Sequence, residues 1–357
     1  MIGFEYGNTR LRAMRSRLLR SEHYAELMAA GSIDRMLGAL HDTPYRSDVE
    51  AAIARFTGLR RLDEAVRTNL GRTLRAVRMF YGDEPGRRVE LLMRRWDLRN
   101  VRSILRAAAR PASTDEILPH LVSAGTLSDA ELGELASRGT VQSLVDLMVA
   151  WGVPTPQTAR RVSAALPDYE ATGDLALLEG AVHRAWMDSV ADRLMDAEPG
   201  DVLTTVVYME TDETNLLTVL RLSTGQTGAE TDAARLADHL IPGARIPPDS
   251  LEAVAYAASR DEAASVLIAA ALPARWPEAI RAWSETGDLV ALAGRLDEAI
   301  TRFAMSRFAA GDPLGIDIPV AFTFAKEAES RNLRLVGRGI VHRLPPDVIS
   351  ARLTEAA

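Results

Sequence analysis

An internal triplication limits what this chain can fold into. Three of its five asparagines stand in one pattern. The first copy reads Asp97-Leu-Arg-Asn100-Val-Arg-Ser-Ile104-Leu-Arg106 and the second Asp212-Glu-Thr-Asn215-Leu-Leu-Thr-Val219-Leu-Arg221. The third is Glu329-Ser-Arg-Asn332-Leu-Arg-Leu-Val336-Gly-Arg338, so all fit acid-x-x-Asn-apolar-x-x-aliphatic-x-Arg. The asparagines lie 115 and 117 residues apart. A second phrase keeps the same period: LDEAV from Leu62, LEGAV from Leu178 and LDEAI from Leu296. Its leucine precedes the asparagine by 38, 37 and 36 residues. Turn signals fall between the two phrases each time, near Pro85, Pro199 and Pro313. Helical solenoid repeats recur at roughly 20–50 residues, so this longer unit reads as a multi-helix domain present three times.

The expected fold class is all-α. Apolar residues recur at helical spacing along most of the chain, as in Leu132, Leu135, Val141, Leu144, Val145 and Met148. Ser32, Thr140 and Asp261 mark helix starts. Only Asp201 to Tyr208 is rich in β-formers, and it runs on into a helical pattern. Boundaries are expected near Pro111–Ser113 and in the polar run Ser223 to Thr231. They give three domains, residues 1–112, 113–228 and 229–357.

Composition and motif content narrow the function. There is no cysteine, hence no disulfide framework, thiolate zinc site or cysteine nucleophile. His23, His41, His120, His183, His239 and His342 are scattered, with no pair at metal-binding helical spacing. No phosphate-loop, zinc-protease or nucleophile-elbow motif occurs, so no catalytic residue, cofactor site or metal site is visible in the sequence. Aromatic residues are 5% of the chain, too few for a base-stacking platform on nucleic acid. No apolar run approaches the roughly 18 residues of a membrane span, and a cytoplasmic location is the plain expectation. The net charge of −7 is uneven: residues 1–112 hold 22 Arg against 13 acids, leaving the remainder strongly acidic. Such polarity either orients a protein between unlike partners or reflects arginines that pair locally on a helical surface.

Positions i, i+3 and i+7 share a helix face, which puts Asp97, Asn100 and Ile104 together beside the packed stripe. The same holds for Asp212 with Asn215 and for Glu329 with Asn332. The favoured role for these pairs is structural: they hydrogen-bond backbone that burial would otherwise leave unsatisfied. A shared docking surface is the alternative. Arg106, Arg221 and Arg338 point to another face and are the candidate partner contacts.

At three places the chain resembles the C subunit of the prokaryotic A/V-type rotary ATPase, the counterpart of the d subunit in the eukaryotic enzyme. These are YGNTRLRAMRSRLL (Tyr6 to Leu19), LLMRRWDLRNVRSILRA (Leu91 to Ala107) and EAESRNLRLVGRGIVHRLPPDVI (Glu327 to Ile349). The middle domain resembles it more loosely, in LEGAVHRAW and ETDETNLLTVLRL. The resemblance implies three similar helical domains around a pseudo-threefold axis, shaped as a funnel. It further implies a non-catalytic rotor part, one copy per complex, that joins the central stalk to the membrane proteolipid ring. Such a protein is peripheral to the membrane, touches it only through the ring and serves ion transport linked to ATP. A free-standing helical scaffold, or an enzyme with an unrecognised site, would share the triplication without those partners.

Overall fold

A computed structural model describes residues 3–110, 113–194, 200–223, 233–270 and 272–354. Among them every regular element is a helix, as the all-α reading expects. The chain opens with four helices, α1 (Glu5–Arg15), α2 (Ser21–Ala29), α3 (Ile33–Ala39) and α4 (Arg46–Ile53). Two long helices follow, α5 (Leu59–Arg78) and α6 (Asp83–Ala108). The same order recurs with α7 (Thr114–Ile117), α8 (Asp129–Ala136), α9 (Val141–Trp151) and α10 (Pro156–Thr172) ahead of α11 (Leu175–Arg193) and α12 (Val202–Ser223). It recurs again with α13 (Ala233–His239), α14 (Pro248–Ala255), α15 (Arg260–Ala269) and α16 (Trp276–Thr286) ahead of α17 (Leu289–Ala310) and α18 (Asp317–Val341). Short α19 (Pro346–Ser350) comes last.

Local chemistry sets these starts. Ser32 and Thr140 cap α3 and α9, their hydroxyls accepting the backbone N–H of Arg35 and Ser143. The start expected at Asp261 belongs to Ser259, whose hydroxyl accepts from Glu262 N; Asp261 lies in the first turn of α15. The β-rich stretch from Asp201 is helical from Val202 onward. Val202, Leu203, Val206 and Val207 are all buried there, and packing of that stripe overrides the weak helix propensity of valine. The boundary residues Pro111 and Thr224 to Thr231, and the turn at Pro199, lie outside the described residues.

The residues cluster into two compact units, Met1–Ala159 with Ala304–Ala357, and Arg160–Phe303. In the first, the two ends of the chain share one core. Leu19, Tyr24, Leu27, Met36, Leu37, Leu40, Tyr45 and Val49 pack with Leu333, Val336, Ile349 and Leu353. Leu62, Ala65 and Val66 of α5 complete it. Close approach of α18 to α5 needs Gly337, because a Cβ there would overlap Leu62. Residues 316–330 are buried on every face of α18, charged ones included. In the second unit α12 packs on α14, α14 on α15 and α15 on α16, around buried Trp276, Ile280 and Trp283. Fully burying each such large side chain contributes roughly 1.5–3 kcal/mol.

Candidate functional site

The three motif asparagines make the same pair of bonds. Asn100 Nδ2 donates to Val122 O at 2.8 Å, and its Oδ1 accepts Val122 N at 3.0 Å. Asn215 does this to Ile241, at 2.9 and 2.8 Å, and Asn332 to Thr354, at 2.9 and 3.0 Å. An amide fits this role because it carries one acceptor and one donor side by side, matching a residue's own N–H and C=O. The held residues come 22, 26 and 22 positions after their asparagine. Asn8 and Asn69 act on backbone too, donating to Pro313 O and Gly315 O and to Pro44 O. All five asparagines are buried.

The acid three residues earlier grips the other end of the same loop. Asp97 accepts Thr126 N and Leu127 N, and Asp212 accepts Arg245 N and Ile246 N at 2.9 Å. Each carboxylate thus holds the amide two residues ahead of a helix start, α8 at Asp129 and α14 at Pro248. Gly125 is required beside Asp97, since a Cβ there would overlap the carboxylate.

The third acid differs in what it holds. Glu329 Oε2 accepts Leu19 N at 2.6 Å, again two residues before a helix, here α2 at Ser21. So Asn332 holds the end of the chain and Glu329 its beginning, where the other two motifs hold the two ends of one continuous loop. Glu329 also accepts the Tyr45 hydroxyl at 2.7 Å and the ammonium of Lys326, the only lysine. Burial lowers the Lys326 pKa, and burial together with Glu329 pushes the Tyr45 hydroxyl well up.

These loop ends expose a phrase that the asparagine pattern alone does not reveal. From Leu19, Leu127 and Ile246, buried apolar residues follow at +5 (Tyr24, Leu132, Leu251) and +8 (Leu27, Leu135, Val254). The capping hydroxyls Ser32, Thr140 and Ser259 stand at +13, and buried Leu40, Met148 and Leu267 at +21. The signal is readable from sequence once the register is known.

Arg106, Arg221 and Arg338 are exposed. Many arginines of residues 1–112 meet acids locally, as in Arg61–Asp34 at 2.9 Å, Arg72–Asp48 at 2.6 Å and Arg78–Glu90 at 3.4 Å. Others take acids from beyond residue 112: Arg67 pairs with Asp129 at 2.9 Å and Arg99 with Glu327 at 3.1 Å. A cavity of about 920 Å³ opens within the second unit near Asn215 and Ile241. Two of its polar side chains are engaged, His239 with Asp174 at 2.7 Å and Arg184 with Asp238 O at 2.9 Å. Among the described residues no three histidine or acidic side chains converge as a metal site, and no helix is long and apolar enough to cross a membrane.

The repeated clamps run almost from end to end of the chain, and so does its likeness to known proteins. A family model described as ATP synthase (C/AC39) subunit matches residues 7–352. The chain belongs to this family. It is therefore one of the subunits of an A/V-type rotary ATP synthase complex. Similar family members include the C subunit of the A-type ATP synthase of Haloferax volcanii, 27% identical over 98% of this chain and 97% of the relative. The C subunit of the V-type ATP synthase of Deinococcus radiodurans is 29% identical over 97% of this chain and 90% of its own length. Its A-type equivalent in Thermococcus onnurineus is 25% identical over 99% and 91%.

Proposed function

We propose that the chain is the non-catalytic rotor component that couples the central stalk to the membrane proteolipid ring, one copy per complex. It transmits rotation during proton or sodium transport linked to ATP synthesis or hydrolysis. The full-length family match carries this reading. The threefold clamp supports the architecture that goes with it: three similar helical domains about a pseudo-threefold axis, forming a socket. In that architecture Asp97 and Asn100, and Asp212 and Asn215, each hold the opening loop of the repeat that follows, and Glu329 and Asn332 hold Leu19 and Thr354, while Arg106, Arg221 and Arg338 are the candidates for partner contact. A piece that links a ring to a shaft needs stiff modules and docking faces. Buried, hydrogen-bonded polar groups supply the stiffness.

Affinity purification from native membranes tests the reading. The expected result is co-purification of stalk and proteolipid subunits of one ATP synthase, with this chain present once per complex. Recovery of the chain alone, or with unrelated proteins, would instead favour a free-standing scaffold. The purified chain should also neither hydrolyse ATP nor bind it at one equivalent by calorimetry.

A further inference from the structure

The cavity of the second unit lies where the first repeat carries its bulkiest groups. Just ahead of α5, Phe56 stacks with the Arg60 guanidinium, 4.8 Å from the ring centre, and Arg60 reaches on to Asp115 of α7 at 3.4 Å. Arg61 Nε donates to Phe56 O at 2.7 Å. Aligned on Leu62 and Leu178, the positions of Phe56, Arg60 and Arg61 are taken in the second repeat by Thr172, Ala176 and Leu177. Small and apolar groups thus replace one ring and two guanidiniums. Thr172 and Leu177 line the opening of about 920 Å³.

The cavity is apolar inside and acidic outside. Ile241, Ile246 and Leu251 line it, each no more than 3% exposed. Its charged groups are three carboxylates, Asp168, Asp174 and Asp238, against the guanidinium of Arg184 and the imidazole of His239. Asp174 is engaged within the chain, Oδ1 by Ala176 N at 2.9 Å and Oδ2 by His239, and Arg184 donates to Asp238 O. Asp168 and Asp238 are exposed. Asn215 also lines the cavity, but its buried amide is taken up by Ile241 and offers nothing to an occupant. The surroundings carry the same sign. Residues 160–303 hold 24 acids against 12 arginines, while the rest of the chain is net positive. Such a field draws cations toward it, and a pocket with apolar walls and few polar groups anchors a partner's side chain.

We propose that this cavity seats a basic segment of a neighbouring protein in the complex. One apolar side chain of that segment enters against Leu177, Ile241 and Leu251, and an arginine or lysine beside it meets Asp168 and Asp238. Long cationic side chains suit such a rim, because their stems lie on apolar surface while their heads stay in water. The proposal rests on the rotary-complex reading and adds a contact surface to it.

The test uses the complex isolated from native membranes, stripped of this chain and rebound with the purified full-length chain. Asp168→Arg and Asp238→Arg together should weaken rebinding about tenfold or more with melting unchanged, since like charges then face one another across the contact. Thr172→Phe, which restores the ring of the first repeat, should weaken rebinding to a similar extent by filling the cavity. Glu285→Arg, an equal change of charge at another exposed site of the unit, should alter rebinding less than about twofold. If the double variant and Thr172→Phe both rebind like the parent, the seat is wrong. A loss from Glu285→Arg as large as that from Asp168→Arg would leave only the general field of the unit and overturn the cavity assignment. Dimerisation of the parent chain that Asp238→Arg abolishes, read by analytical ultracentrifugation, would make the occupant a second copy and overturn it too. Should the parent chain itself fail to rebind, the rotary reading falls and takes the seat with it.

Discussion

Asp97 and Asp212 occupy the same place in two repeats and grip the same pair of amides, yet they are not equally well satisfied. At Asp97 both oxygens are engaged: Oδ1 accepts Leu127 N at 3.1 Å, and Oδ2 accepts Thr126 N and the Thr126 hydroxyl, each at 2.8 Å. At Asp212, Oδ1 accepts both amides, and Oδ2 is buried with no partner. The difference traces to one position, Thr126 against Arg245, which offers the carboxylate no hydroxyl. Burial raises both pKa values, but with fewer bonds opposing it Asp212 is pushed up to about 6. A repeated motif therefore preserves the backbone it holds more faithfully than the comfort of the group that holds it.

The largest expected effect lies where the repeats agree. Asn100→Leu and Asn215→Leu each strand a buried N–H and C=O, costing about 1–3 kcal/mol per group. Denaturant unfolding should show similar losses for the two; a loss at one site alone would break the equivalence of the clamps.

A second effect should differ in sign between the acids. Asp97→Asn turns an amide donor toward the Thr126 donors and should cost about 1–3 kcal/mol. Asp212→Asn keeps the single accepting oxygen and removes a poorly solvated charge, so stability at neutral pH should hold or rise. Equal losses in urea titrations of the two variants would show that Asp212 Oδ2 has a partner after all.

The pH dependence follows from the same asymmetry. The Asp212 pKa, about 6 in the folded chain, stands above the unfolded value of roughly 3.9. Between these values the folded state binds the extra proton. The group's stabilising contribution is therefore fully present below the unfolded pKa and lost as pH rises through the folded one. Unfolding of residues 160–303, followed by hydrogen exchange, should show increasing protection as pH falls from about 7 toward about 4, after correction for intrinsic exchange rates. Asp212→Asn should flatten that trend. A parental trend in the variant would assign it to another group.

The smallest effect is expected from Thr126→Val, which removes one hydroxyl bond from Asp97. It should cost about 0.5–1.5 kcal/mol in urea unfolding and move the Asp97 pKa further up, toward that of Asp212. Carboxyl titration followed by NMR reads the second change, and an unmoved Asp97 would show that the hydroxyl is not what separates the two acids.

How much of this was legible in sequence depends on what each residue touches. The helical class, the period and the acid–amide pairing were readable because they rest on residues that recur in the chain itself. What the pairs hold was not, since Val122, Ile241 and Thr354 are gripped through backbone, which leaves no side-chain signature. The charges inside α18 were opaque for a related reason. Lys326, Glu327 and Glu329 look like a solvated run, but they meet Tyr45, Trp96, Arg99 and Leu19 N, more than 200 residues away in the chain. The shared core of the two chain ends was likewise invisible to a reading that ran from one end to the other. The capping register of Ser32, Thr140 and Ser259 is present in the sequence, but Asp261, two residues on, competes with Ser259 as the third start.

The central claim is that the repeated asparagine braces the backbone it holds inside this chain and does not dock a partner. Asn215→Leu tests it most directly, by measuring thermal melting and rebinding to the depleted complex on the same preparation. The account predicts a lower melting temperature and parental rebinding wherever the variant is still folded. Parental melting with lost rebinding would contradict it and make Asn215 a docking residue.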